Sequence, residues 1–300
     1  MYAQGVAAER REWPQRGIDV RINAVQTREY DRIRVEPLTG TIGAEISGVD
    51  LRELDDELIA ELHDAWMAHK VLFFRDQELT QAQHVAYGKA FGELEVHPFT
   101  RNVPEHPEII VLESTADSFQ AAETWHSDVT FRECPPLGSI LMGRIVPSYG
   151  GDTCWANMEL AYEQLPDDVK SQIEGRYAIH SFVKAFGRNM NESEQEEVRQ
   201  KYPDQKHPVV RTHPVTGAKS LFVNRTFTLT IDGMTPDESR ALRRRLYAQA
   251  AEPEFQCRFR WRPGSIAQWD NRCTQHYAVP DHGGLHRRME RVTLLGDRPV

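Results

Sequence analysis

Thr124-Trp125-His126-Ser127-Asp128-Val129-Thr130-Phe131 sets an imidazole and a carboxylate two residues apart in a strand-like context. On a β-strand, residues i and i+2 point to one face, so His126 and Asp128 are expected to converge on one point. They would supply two-thirds of a 2-His-1-carboxylate set, which holds Fe(II) through three protein atoms and leaves positions open. Three ligands with one carboxylate also suit catalytic zinc. An H-x-D alone is more often surface decoration, so the reading turns on a third donor. Of the twelve histidines, His276 stands out, in Trp269-Asp270-Asn271-Arg272-Cys273-Thr274-Gln275-His276-Tyr277-Ala278. It follows the apolar run 266–269 and precedes an arginine-rich run beginning at Arg287. Most of the other histidines read as ordinary: His63, His69 and His84 on helices, His106, His207 and His213 beside prolines in loops, His282 and His286 flanking a Gly-Gly turn.

Outward from this stretch the pattern is of many short strands. Apolar or alternating runs recur at 109–112, 139–146, 177–182, 220–223, 255–261, 266–269 and 292–295, separated by turn residues. Helical inserts are expected at about 158–174 and 235–250. The second opens on Thr235-Pro236-Asp237-Glu238, with proline at the first helical position and acids in the first turn. Nearer the N-terminus, Leu54, Leu58, Ile59, Leu62, Ala65 and Trp66 share one helical face over 53–70. Val71-Leu72-Phe73-Phe74 reads as a strand buried on both faces. Thr80 with Gln83 marks the start of a further helix, about 81–91. The expectation is a mainly β sandwich or barrel decorated with helices. Residues 1–31 are polar and aperiodic and read as a flexible extension, and residues 32–300 as one domain.

The chain has 300 residues and a formal net charge of −9, which repels phosphate backbones and argues against nucleic acid as a partner. No run approaches the roughly 18–20 apolar residues of a membrane span, and no signal-peptide core follows the early arginines. Cys134, Cys154, Cys257 and Cys273 form no C-x-x-C pair and read as free thiols. Together these features point to a soluble cytoplasmic protein with no membrane partner.

Three stretches give the chain a resemblance to the taurine/alkylsulfonate dioxygenase family. They are 125–131, Gly150-Gly151-Asp152-Thr153-Cys154-Trp155-Ala156-Asn157, and 269–278 with the arginine-rich run 287–297. The likeness runs from about Ile33 to the C-terminus. It implies a double-stranded β-helix (jelly-roll) core and a reaction that couples oxidative decarboxylation of 2-oxoglutarate by O2 to hydroxylation of an aliphatic C–H. Succinate, CO2 and an oxidised, often fragmenting product result. By position, the resemblance assigns His126, Asp128 and His276 to Fe(II), and Thr153 and Arg287 to the distal carboxylate of 2-oxoglutarate. A guanidinium offers that carboxylate a planar charge-assisted fork, and a hydroxyl adds a donor. Read without the resemblance, Thr153 is a turn residue and Arg287 a surface ion-pair former.

The resemblance also places His97 and Arg291 where family members bind a sulfonate, Val129 at a backbone N–H contact to substrate, and Phe186 and Phe227 at the pocket wall. If 287–291 is a strand, Arg287 and Arg291 share a face, and two cations there call for two anions. Ala122 stands where taurine dioxygenase carries an amide, which puts the taurine amine contact in doubt. The expected substrate is a small organic anion of taurine, alkyl sulfonate or alkyl sulfate ester type. Carboxylates such as phenoxyalkanoates, or a zinc-dependent hydrolase, are the alternatives. A halogenase is disfavoured because Asp128 is present, and a non-enzymatic jelly roll because the full set of candidate ligands is. A homo-oligomer, dimer or tetramer, is expected.

Overall fold

The computed structural model describes residues 28–97, 101–117 and 123–300. Among them the chain forms sixteen strands and seven α-helices. β1 (Arg34–Pro37) and β2 (Ala44–Ser47) form a hairpin. α1 (Asp56–His69) leads to β3 (Val71–Phe74), and α2 (Gln81–Lys89) to β4 (Asn102–Val103) and β5 (His106–Ser114). Then come β6 (Gly138–Ile145), β7 (Thr153–Asn157), α3 (Met158–Glu163), α4 (Asp167–Ile173), β8 (Tyr177–His180), α5 (Phe182–Phe186) and α6 (Glu192–Lys201). β9 (Gln205–Pro208), β10 (Val210–Thr212), β11 (Lys219–Leu221), β12 (Thr228–Ile231), α7 (Pro236–Gln249), β13 (Gln256–Phe259), β14 (Ile266–Asp270), β15 (Thr274–Ala278) and β16 (Arg287–Leu294) complete the chain.

The large sheet runs β1-β2-β3-β14-β6-β16-β5-β4, and smaller sheets run β13-β7-β15, β12-β8-β9 and β10-β11. Strand parity explains the apolar run of β3. Val71 and Phe73 face the interior shared with Trp155, Phe259 and Met289, between the large sheet and β13-β7-β15. Leu72 and Phe74 face the opposite way, into the cluster that holds Leu58, Leu62 and Trp66 of α1 and Val85 and Tyr87 of α2. A strand covered on both sides needs apolar residues at every position. A third cluster packs α3, α4 and α7 against Leu221, Val223 and Ile231. The fold is thus mainly β with helical decoration, as the strand pattern predicts.

Local chemistry sets the helix ends. Thr80 and Gln83 form a reciprocal capping box on α2, and Thr235 and Glu238 do the same on α7, with Pro236 leading the helix. The helix expected over 158–174 is instead two, α3 and α4. Pro166 breaks it, because proline has no N–H to donate and pushes the residue before it out of the helical region. The strand expected over 177–182 ends at His180. Ser181 then accepts the Lys184 N–H and opens α5. His106 and His207, read from sequence as loop residues, lie on β5 and β9. Of the expected extension, residues 1–27 lie outside the described residues. Its end is tied to α1: Arg28 and Tyr30 reach Asp64, Tyr30 Oη at 2.8 Å, and Glu61 accepts the Asp31 amide at 2.9 Å.

His84 gives the fold a measurable pH dependence. It is fully buried on α2, and its Nε2 donates to the Ile140 carbonyl at 3.2 Å. Burial, helped by Arg144, pushes its pKa from 6.5 down to about 4. A depressed histidine contributes stability that is fully present above pH ~6.5 and is lost as pH falls toward the folded value, at up to about 1.4 kcal/mol per pH unit. Urea unfolding is expected to show that decline between pH 6.5 and 4, with a shallower slope in His84→Gln.

Candidate active site

Strand β15 hydrogen-bonds to β7, which pairs His276 with Trp155 and Ala278 with Thr153. On its other side, His276 makes an isolated antiparallel bridge with His126, with N–H to carbonyl distances of 3.1 and 2.8 Å. Cross-strand partners share a face, so Thr153, Trp155 and His276 all point into the sandwich. The H-x-D is not a strand, contrary to the sequence expectation. His126 is its only bridging residue, and the chain turns at Asp128, because Val129 adopts φ 41°. The two donors still converge, by a turn rather than by strand alternation.

The ligand atoms of His126, Asp128 and His276 lie within 4.8 Å of one another, and all three residues are buried. Asp128 Oδ1 is 3.7 Å from His126 Nε2 and 3.9 Å from His276 Nε2. His126 Nδ1 donates to the Thr124 carbonyl at 2.7 Å, which leaves the Nε2 lone pair facing Asp128. Burial pushes His276 down to about 3 and lowers His126, so both imidazoles are neutral near pH 7. Burial alone would raise the Asp128 carboxyl, but the Arg291 guanidinium, paired with it, holds it well below the usual carboxylate range. Two neutral imidazoles and one carboxylate are the donor set of a facial-triad metal site.

β16 supplies the cations. Arg287 and Arg291 are four residues apart on it and flank Met289, which sits in the inter-sheet core, so the two arginines share the inner face as expected. Arg291 Nη1 meets Asp128 Oδ2 at 2.9 Å. Arg287 is different: both arginines have a buried Nε with no hydrogen-bond partner, but among the described residues no carboxylate pairs with the Arg287 guanidinium, and burial lowers its pKa to about 10 against weak support from Asp152. Its stem lies against Gly151, where an added Cβ would come within 3.2 Å of Cδ and Nε. Gly150 and Gly151 both stand at φ 70°, a conformation L side chains rarely adopt. Thr153 begins β7 rather than sitting in a turn, and its Oγ1 accepts the Trp261 Nε1 proton at 3.0 Å, leaving the hydroxyl hydrogen available. A largely desolvated cation packed on Gly151, with a hydroxyl donor two residues further along the chain, suits a carboxylate.

The family described as "Taurine catabolism dioxygenase TauD, TfdA family" matches residues 34–293. The chain belongs to the TauD/TfdA family. It is 39% identical to "Alkylsulfatase" of Acinetobacter baylyi over 275 residues, which span 89% of this chain and 86% of that protein. It is 36% identical to "Alpha-ketoglutarate-dependent sulfate ester dioxygenase" of Pseudomonas putida, over 89% of this chain and 90% of that one. The crystal structure of a taurine dioxygenase from Burkholderia xenovorans superposes with a TM-score of 0.79 at 40% identity, covering 90% of this chain and 91% of that one. This TauD/TfdA protein is accordingly an alpha-ketoglutarate-dependent dioxygenase, an oxidoreductase with a jelly-roll core. 2-Oxoglutarate is another name for the same co-substrate.

The remaining sequence-assigned residues gather around the same centre of the TauD/TfdA fold. Phe227 is buried, with its ring 6.4 Å from that of His126. Phe131 stands 5.5 Å from Phe227, and Phe186, 51% exposed, stands 6.0 Å from it. His97 feels Glu95, Arg132, Arg291 and Asp128, and burial lowers its pKa. Arg132 pairs with Glu95 two residues before His97, tying that segment to the turn after Asp128. Ala122 lies outside the described residues.

A second group of metal-type side chains, His213, Asp270 and Cys273, is also buried together. It is not built as a ligand set. His213 Nδ1 accepts the amides of Val215 and Thr216, so Nε2 carries the proton and donates to Asp270 at 3.0 Å. Arg272 occupies both Asp270 oxygens, and burial raises the Cys273 thiol well above its usual range. The four cysteines are free. No helix among the described residues is long and apolar enough to cross a membrane.

Proposed function

We propose that this enzyme hydroxylates the carbon bearing the sulfur-containing group of a small organic anion, with an alkyl sulfate ester as the preferred substrate. One C–H, one O2 and one 2-oxoglutarate give the hydroxylated carbon, succinate and CO2. A hydroxyl on the ester carbon then expels sulfate and leaves an aldehyde. His126, Asp128 and His276 would hold Fe(II), which supplies oxygen activation against the keto acid. Arg287 and Thr153 anchor the distal carboxylate of 2-oxoglutarate and so fix which end of it faces the triad.

The observation that carries the substrate reading is the pairing of Arg291 with Asp128 beside His97. With a divalent cation held by the triad, Asp128 would no longer need Arg291 for neutralisation, and the guanidinium would be free to take the substrate anion. The backbone N–H of Val129, the next residue after Asp128, would add a donor to the same anion. Phe227 beside His126, with Phe131 buried against it and Phe186 at the surface 6.0 Å from it, is an apolar group that would suit a hydrocarbon tail better than an ammonium group. The two relatives named for sulfate esters and alkyl sulfates support the same choice. A homo-oligomeric assembly is part of the proposal.

Linear alkyl sulfates of increasing length, alkyl sulfonates, taurine and phenoxyacetate, scored by succinate and sulfate release, test it. An alkyl sulfate is expected to exceed taurine in kcat/KM by about tenfold or more, the worth of one to two buried methylene groups. Arg291→Ala is expected to raise KM for the organic anion by about 30-fold or more, the loss of one charge-assisted contact, while the KM for 2-oxoglutarate changes little. Preference for phenoxyacetate would move the substrate to carboxylates. Sulfate release without oxygen or 2-oxoglutarate would mark a zinc-type hydrolase.

A further inference from the structure

Asp128 sits where the strand-like pairing of the H-x-D ends. His126 exchanges two backbone hydrogen bonds with His276, but Val129 at φ 41° turns the chain away before Asp128 can do likewise. The backbone of Asp128 is satisfied by a side chain instead. Asn271, fully buried in the turn between β14 and β15, accepts the Asp128 N–H on Oδ1 at 2.6 Å and donates from Nδ2 to the Asp128 carbonyl at 3.1 Å. Its second amide hydrogen goes to the Pro136 carbonyl at 3.0 Å. Only one orientation of the amide satisfies all three contacts. Asn271 thus stands in for the neighbouring strand that Asp128 lacks.

The turn that carries Asn271 is itself anchored. Asp270 is held by Arg272 and by His213, and Thr274 Oγ1 closes the turn on the Asp270 carbonyl at 2.6 Å. The next element, β15, carries His276, and Ser127 Oγ donates to the Thr274 carbonyl at 2.7 Å. One rigid turn therefore sets His276 through the chain and Asp128 through an amide.

The geometry points to Asn271 as a positioning residue that fixes the carboxylate ligand against the two imidazoles, an inference that rests on reading the triad as the metal site. Groups that orient metal ligands typically change metal affinity 10–100-fold when removed.

The test is Mn(II) affinity, measured by titration in the presence of 2-oxoglutarate, for the parent and four variants. Asn271→Ala removes the clamp. Asn271→Asp keeps its shape but loses the donated bonds. Leu62→Ala, in the core beneath α1, lowers stability away from the site. His126→Ala removes a ligand. The expected result is that both Asn271 variants bind Mn(II) about 10–100-fold more weakly in the folded protein and form succinate in excess over oxidised substrate. Leu62→Ala is expected to melt earlier with parent-like affinity. The inference is overturned if the folded Asn271 variants keep the parent affinity while His126→Ala loses it. It is equally overturned if neither Asn271 variant folds, because the residue would then be serving fold stability. Parent-like affinity in His126→Ala would remove the metal reading, and this inference with it.

Discussion

Asp128→Ala is expected to abolish succinate formation, with kcat/KM falling by about 10³-fold or more, roughly 4 kcal/mol of transition-state stabilisation. Asp128 is the sole carboxylate of the candidate triad and lies within 4 Å of both imidazoles. Without it the two neutral histidines hold a divalent cation with no compensating charge. The same substitution has a second consequence, for the fold. Arg291, partly buried beside Asp128, loses its carboxylate at 2.9 Å, and leaving such a charge uncompensated costs up to about 3–5 kcal/mol. Urea unfolding of the metal-free protein should record that loss. The double variant Asp128→Ala with Arg291→Met is expected to recover most of the stability and none of the activity. Full turnover in Asp128→Ala would remove the metal assignment. Unchanged stability would show that Arg291 finds another partner.

Arg287→Met is expected to separate co-substrate binding from folding in the opposite direction. Arg287 is a partly buried cation whose buried Nε has no hydrogen-bond partner and whose pKa desolvation pulls to about 10. Its work in the proposed mechanism is done only when 2-oxoglutarate is bound. Removing one partner of a desolvated charge pair costs about 2–5 kcal/mol of binding, so the KM for 2-oxoglutarate should rise by about 30-fold to 5,000-fold. Without 2-oxoglutarate the variant should be as stable as the parent, or more stable by about 1 kcal/mol, because an unpaired buried charge has been replaced by an apolar chain of similar length. Thermal melting with and without 2-oxoglutarate reads both effects: the parent gains stability from the co-substrate and the variant does not. A parent-like KM would show that another group anchors the distal carboxylate.

Much of this site was legible before any coordinates, but through the family resemblance. The H-x-D alone is a weak signal and His276 lies far along the chain, so only the combination with Thr153 and two arginines four residues apart is specific. β3 was legible because burial on both faces leaves only apolar residues. α2 was legible from Thr80 with Gln83, and α7 from Pro236 at its first position with acids in the first turn. What escaped notice had weak local signals. α5 has only five residues. α6, Glu192–Lys201, has no buried residue and so no apolar stripe to read. β7 was masked by the Gly150-Gly151 turn before it. His213 looked like one more histidine beside a proline. Its burial against Asp270 is 57 residues away in sequence, and no spacing rule reaches that far.

The sequence by itself determined the donor types, their order along the chain, the mainly β class and the two cations of β16, because each depends on residue identity or short-range periodicity. Tertiary structure alone decided how the donors meet. Asp128 points at the histidines through a left-handed turn at Val129, not by strand alternation. It is held there by Asn271, 143 residues further along the chain. Arg291 faces Asp128 while Arg287 has no bonded anion, a distinction invisible in two identical side chains. The physical reason is common to all of these. Charge pairing, burial and backbone satisfaction are properties of a place in the fold, and that place is set by which strands lie side by side.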